Sequence, residues 1–293
     1  MATWPLAAQA QQTAKIPRVG ILSPANSEAA GTLAACLSKG DYDALPKLAT
    51  QLVRVPVDVI VTDTTSATQA AASATRTIPI VMAASGGDPV ALGFAASLNK
   101  PGGNVTGVLF LSIQLNPKRL ELLKLAFPTI TRIAALFIPT SAIGPPGLRT
   151  TEQAAKLLGI TINPIAISSP DELRALSPVH LAGSEGLIVP PDAMFWNNRA
   201  TILALASSAR IPGLYPEREY ADDGGLIAYG ANVPDHFRQA AGYVDRILRG
   251  EKPGDLPINA SSKVDFVVNL RTARALGLTI SPDFLSGANE VIE

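Results

Sequence analysis

Hydroxyl and carboxyl side chains recur in this chain in short clusters, each following a run of aliphatic residues. The clusters are Ser23 with Asn26, Asp63-Thr64-Thr65-Ser66, Ser85 with Asp88, Thr140-Ser141, and Asp192. Hydroxyls and the free N–H groups at a helix start can hold a carboxylate or another polar head group. Asp88 or Asp192 can accept from an ammonium or a hydroxyl. Phe195, Trp196, Tyr215 and Tyr229 offer flat apolar surface and stand out in a chain only 5% aromatic. Together these groups suit capture of an amino acid or an aromatic acid. The same residues also have plain structural uses. Ser, Thr and Asp are the usual helix caps, Asp88 before Pro89 is an ordinary helix start, and Tyr215 before Pro216 can fill a core.

The elements that must position these clusters alternate between strand and helix. Within residues 57–111, Val57, Val59, Ile60 and Val61 form a β-branched run suited to a strand buried on both faces. An alanine-rich helix over 67–74 and a second buried strand over 78–82 follow it. Two consecutive βα units predict a parallel sheet with right-handed crossovers. Ligands of open α/β sheets bind outside the carboxyl ends of the strands, where these clusters sit. A first strand is expected over 18–22, and Gly102, Gly103 and Gly107 suit a hinge out of the first lobe. A second βα series begins with a helix over 117–127 and a strand over 133–138 and continues to residue 229. Its similarity to the first series predicts two alike lobes with a ligand cleft between them.

Composition narrows the function. The 293 residues are 47% hydrophobic, with a mean hydropathy of +0.24, as expected of a well-buried globular protein. Lys plus Arg equals Asp plus Glu at 24 each, so nothing suggests an electrostatic grip on nucleic acid. One cysteine, Cys36, and two distant histidines, His180 and His236, give little support for a metal site or a thiol nucleophile. No apolar run approaches the roughly 18 residues that span a bilayer. An enzyme holding Mg²⁺ on Asp63, Asp88 and Asp192 for phosphoryl transfer is one alternative, but no phosphate-binding glycine motif accompanies them. The effector-sensing core of a repressor is another, without a basic helix-turn-helix ahead of it.

Three stretches carry a resemblance: residues 74–108 (ATRTIPIVMAASGGDPVALGFAASLNKPGGNVTGV), 211–258 (IPGLYPEREY…GEKPGDLPI) and 264–293 (VDFVVNLRTARALGLTISPDFLSGANEVIE). With them the chain resembles the substrate-binding proteins of ABC transporters of the tryptophan/tyrosine-type uptake family. The resemblance implies an α/β type I periplasmic-binding-protein fold, with two Rossmann-like lobes of parallel sheet joined by a multi-strand hinge. It implies a small-molecule ligand, permease and ATPase subunits as partners, and neither catalysis nor a cofactor. By matching position the ligand loops would supply Ser23, Asn26, Thr64, Thr65, Ser66, Ser85 and Asp88 from the first lobe. The second would supply Thr140, Ser141, Asp192, Phe195, Tyr215, Tyr229 and Gly230.

The expected lobes are residues 17–108 with about 231–257, and 109–230 with about 258–293. Residues 1–16 read as the end of a secretory signal, since Ala8-Gln9-Ala10 fits a signal-peptidase site; this implies a periplasmic protein. One departure from the family pattern is expected. The chain runs almost directly from Leu33 to Asp41, where relatives have a helix and a further strand, so the first lobe is expected to lack both. That loss would bare an edge of the first sheet, lower its stability and favour self-association.

Overall fold

The computed structural model describes residues 17–23, 33–38, 41–110, 112–261 and 263–293. The chain opens with β1 (Val19–Ser23), β2 (Leu33–Leu37), α1 (Leu45–Leu52), β3 (Val59–Thr62), α2 (Thr65–Ala74), β4 (Ile80–Ser85) and β5 (Val105–Leu109). It continues through α3 (Asn116–Ala126), β6 (Arg132–Phe137), α4 (Gly144–Leu157), β7 (Thr161–Ala166), α5 (Pro170–Ala175) and β8 (Gly186–Ile188). Next come α6 (Ala193–Asn197), α7 (Arg199–Ala209), β9 (Gly213–Tyr215), α8 (Arg218–Asp222) and β10 (Ile227–Ala231). The last elements are α9 (Val233–Leu248), β11 (Asn259–Ala260), β12 (Val264–Asn269), α10 (Leu270–Leu276), α11 (Pro282–Leu285) and β13 (Glu290–Ile292).

Two sheets result. The first has strand order β11-β5-β4-β3-β1-β2 and is parallel throughout. The second has order β13-β12-β10-β9-β8-β6-β7 and is parallel except where β10 meets β12. Alternation along the strands builds a core on each face. In β3, Ile60 packs with Leu45 and Leu52 of α1 and Ala67 and Ala71 of α2, while its neighbour Val59 packs with Ala240, Tyr243 and Ile247 of α9. Those three α9 residues lie at i, i+3 and i+7 and form one apolar stripe. Helix α9 thus covers the first sheet although it follows the second lobe in sequence. The chain crosses between lobes after β5, between β10 and α9, and between β11 and β12.

Two sequence expectations change here. The first sheet has its edge strand: Leu33–Leu37 pairs in parallel with β1, Val19 to Leu33 through Ser23 to Leu37. An alanine-rich segment supplies it, which is why composition concealed it. The expected missing helix falls on residues 24–32, outside the described residues. Gly107 is no hinge; it sits inside β5 with φ +126°, and a Cβ there would lie 2.3 Å from the Met82 carbonyl oxygen. Gly102 and Gly103 precede β5 within the first lobe, where the Gly102 N–H donates to the Gly254 carbonyl at 2.9 Å. The third crossing follows Ala260, since Asn259 and Ala260 still pair with β5.

Candidate functional site: the interlobe cleft

The carboxyl ends of β1, β3, β4 and β5 face those of β6, β8, β9 and β10 across a cleft of about 400 Å³. That volume suits a small ligand. Phe110, Ile143, Trp196 and Phe237 supply much of its apolar wall. Trp196 is half-buried, its ring edge-on to Tyr220 and its face under the Arg199 guanidinium at 4.8 Å.

On the first lobe, Thr64 caps α2 by accepting from the Ala67 N–H at 3.2 Å. The next hydroxyl, on Thr65, is buried and accepts from the N–H groups of Gly86 (3.1 Å) and Gly87 (3.0 Å) while lying 3.1 Å from the Ser85 hydroxyl. One side chain at the start of α2 therefore fixes the turn after β4. A Cβ at Gly86 would fall 2.4 Å from the Ser112 hydroxyl, which would have to turn away. The Ser23 hydroxyl donates to the Asp63 carboxylate.

Among the described residues, two hydrogen bonds tie the lobes together across the opening. The Tyr42 hydroxyl, just ahead of α1, donates to Asp192 Oδ1 at 2.6 Å, and the Ala142 N–H donates to the Ser66 hydroxyl at 3.4 Å. Asp192 also caps α6 by accepting from the Met194 N–H at 2.9 Å, and the Ser141 hydroxyl bonds to it.

Charge in the cleft is carboxylic. Burial pushes the carboxyls of Asp63 and Asp192 up to about 6, against the hydrogen bonds from Ser23 and Tyr42 that hold them down. Glu217, just past β9, is 9% exposed and rises to about 8 through burial, with Arg119 opposing the shift. Arg119 is fully buried, and burial lowers it to about 10. It donates through Nε to the Tyr229 carbonyl (2.9 Å) and through Nη1 to the Ser112 carbonyl (3.1 Å) and Asn116 Oδ1 (2.8 Å). Asp63 Oδ1, Glu217 Oε2 and the Ser112 hydroxyl are buried at the cleft without a hydrogen-bond partner among the described residues. Unmet buried polar groups are costly, so their presence at a cleft marks a place for a ligand's polar groups.

Of the residues expected from the sequence, Ser23, Thr64, Thr65, Ser66, Ser141 and Asp192 line this cleft. Asn26 lies outside the described residues. The others are elsewhere. Ser85 is fully buried beneath the lining, where it holds Thr65. Asp88 is exposed and caps the next turn, accepting from Val90 and Ala91 N–H groups at 2.9 and 3.3 Å. Thr140 is exposed outside the cleft. Phe195 is fully buried and borders only a recess of about 30 Å³ behind it. Tyr215 turns into the second lobe and stacks on Tyr220 at 5.0 Å, in space that Gly213 and Gly225 leave open. The Tyr229 ring packs edge-on against Phe266, and Gly230 lies against the Pro216 carbonyl, where a Cβ would be 1.8 Å away. Sequence reasoning missed Tyr42 and Glu217. Glu217 had a signal: it follows a strand end, as Asp63 and Asp192 do.

Among the described residues no group of three His, Cys, Asp or Glu is placed to hold a metal ion, and no helix is long and apolar enough to cross a membrane. A tyrosine-binding protein of Clostridioides difficile (strain R20291) is 27% identical over 242 residues, covering 82% of this chain and 69% of the relative. The structure of an ABC domain from Streptococcus pneumoniae in complex with L-Trp superposes with a TM-score of 0.84 at 26% identity, covering 94% of this chain and all of that one. A conserved domain protein from Vibrio cholerae O1 biovar El Tor shares the fold, with a TM-score of 0.85 at 24% identity and coverage of 94% and 99%. The family model of the ABC transporter substrate binding proteins matches residues 32–292, which takes in the second sheet, all of the first but β1, and nearly all of the cleft. Two facing parallel lobes with a solute-sized space at their strand ends are what that family requires, and this chain belongs to it.

Proposed function

We propose that this protein is the extracytoplasmic receptor of an ABC importer and that it captures an aromatic amino acid in the interlobe cleft. One observation carries the reading: a space of about 400 Å³ combines an apolar, aromatic wall with carboxyls and hydroxyls, several of them unpartnered. A ring would lie against Trp196, Phe110 and Phe237. An ammonium would meet the carboxyls, and a ligand carboxylate would meet the hydroxyls of Thr64 and Ser66 and the N-terminus of α2. The L-Trp complex and the tyrosine-binding relative support this ligand class. On this reading the protein catalyses nothing and hands its ligand to a permease and its ATPase. Residues 1–16, read as the end of a secretory signal, fit export to the periplasm, and sequencing the amino terminus of the protein from a periplasmic fraction checks that step.

Trp196 is one of two tryptophans in the chain, so its emission reports on the cleft. Titration with L-Trp analogues, L-Tyr and L-Phe, followed by calorimetry and thermal shift, is expected to give at least one micromolar ligand that raises the melting temperature. Stabilisation by sugars alone, with no response to any aromatic amino acid, would overturn the assignment.

A further inference from the structure

Among the described residues, the charged groups on the cleft lining are of one sign: Asp63, Asp192 and Glu217 line it, and no described Lys, Arg or His does. The buried guanidinium nearby, Arg119, is not part of the lining. Its Nε and Nη1 are committed to Tyr229, Ser112 and Asn116, and Nη2 is buried beside Gly230, behind the lining, without a partner among the described residues. What remains for a ligand carboxylate is neutral or weakly positive: the hydroxyls of Thr64, Ser66 and Ser112, and the start of α2, which carries roughly half a positive charge. Acceptors for a cation are in better supply, because Asp63 Oδ1 and Glu217 Oε2 are buried and unpartnered. In a low-dielectric cleft this imbalance favours a positive group and disfavours a lone anion.

Building on the reading that this cleft is the ligand site, we propose that its dominant determinant is an ammonium group attached to an aryl side chain. Arylalkylamines without a carboxylate are therefore ligands of this protein too, and aromatic acids without the amine are not. The ligand carboxylate adds little affinity, and the α-amino acid and its decarboxylated amine bind comparably. Because burial holds the Glu217 carboxyl up at about 8, an ammonium seated beside its unpartnered Oε2 at pH 7.5 also draws off its proton, and binding releases that proton to the buffer.

Calorimetry on the full chain with L-tryptophan, tryptamine and indole-3-propionate, and with L-tyrosine, tyramine and 3-(4-hydroxyphenyl)propionate, tests this at pH 7.5. In at least one series the amine is expected within tenfold of the amino acid and the amine-free acid at least a hundredfold weaker. Repeating the amine titration in buffers of different ionisation enthalpy is expected to show proton release. Glu217→Gln is expected to weaken the amine at least tenfold; if that variant does not fold, the wild-type ligand series decides. An amino acid that binds while its amine does not overturns this inference and leaves the receptor reading standing. Equal binding of amine and amine-free acid overturns it as well. Failure of all six compounds overturns both.

Discussion

Removing one oxygen should open this receptor. In Tyr42→Phe the ring stays between the two lobes, where Tyr42 packs against the core clusters of both, and only the hydroxyl is lost. That hydroxyl makes the shorter of the two hydrogen bonds across the cleft mouth, 2.6 Å to Asp192 against 3.4 Å for Ala142 to Ser66. An O–H donor at this distance from a carboxylate is charge-assisted and contributes about 1.5–3 kcal/mol net. Asp192 keeps the Met194 N–H and Ser141, so the loss falls on the tie between lobes and not on the α6 cap. The ratio of closed to open form should then drop by about 10- to 150-fold, since roughly 1.4 kcal/mol is a factor of ten. Where the ligand needs the closed form, its dissociation constant rises with the loss of the competent population. Small-angle scattering of the ligand-free variant should show a larger radius of gyration than wild type, and calorimetry a weaker ligand. The Tyr42 bond also holds the Asp192 carboxyl down against burial, so the variant should titrate Asp192 above 6. Wild-type scattering with an affinity unchanged within twofold would refute the latch.

Other outcomes follow from the same geometry. Asp63, Asp192 and Glu217 sit above their ordinary values, so the folded protein binds more protons than the unfolded chain between about pH 4 and pH 8. Ligand-free stability should accordingly be highest at the acid end of that window and fall as pH rises through it. Glu217→Gln should flatten the upper part of the curve, and denaturant melts at pH 5, 6.5 and 8 check this; parallel curves would count against it. Thr65→Val strands the buried N–H groups of Gly86 and Gly87 and should cost about 2–5 kcal/mol in a urea titration, with weaker ligand binding because Gly86 lines the cleft. Gly107→Ala forces a Cβ into the Met82 carbonyl and should yield no folded protein, whereas Gly159→Ala, with φ +65° but open space around it, should cost only about 1 kcal/mol. Comparable yields and melting temperatures for the two glycine variants would refute the close approach of β4 and β5.

The sheets were legible because their strands are buried on both faces, which writes β-branched runs such as those of β3 and β4 directly into the sequence. Elements with other origins were not. Gly144-Pro145-Pro146-Gly147 looks like a turn, yet it opens α4, because prolines in a first helical turn forfeit no hydrogen bond that the helix needs. Residue type also says little about which way a side chain turns. Tyr215 and Phe195 are aromatic residues at or near strand ends, as a ring-stacking surface would need, but glycines at 213 and 225 make room for Tyr215 inside the lobe, and α6 turns Phe195 into the core. The same limit applies to the hydroxyl-rich loops, which read as donors awaiting a carboxylate. Several are committed within the protein: Ser23 serves Asp63, Ser141 serves Asp192, and Thr65 receives two backbone N–H groups. Counting the bonds that these hydroxyls already make turns a lining that reads as anion-binding into one whose unmet charged atoms, among the described residues, are the acceptors Asp63 Oδ1 and Glu217 Oε2. The proposed preference for a ligand ammonium therefore rests on the hydrogen-bond inventory, which no list of residue types contains.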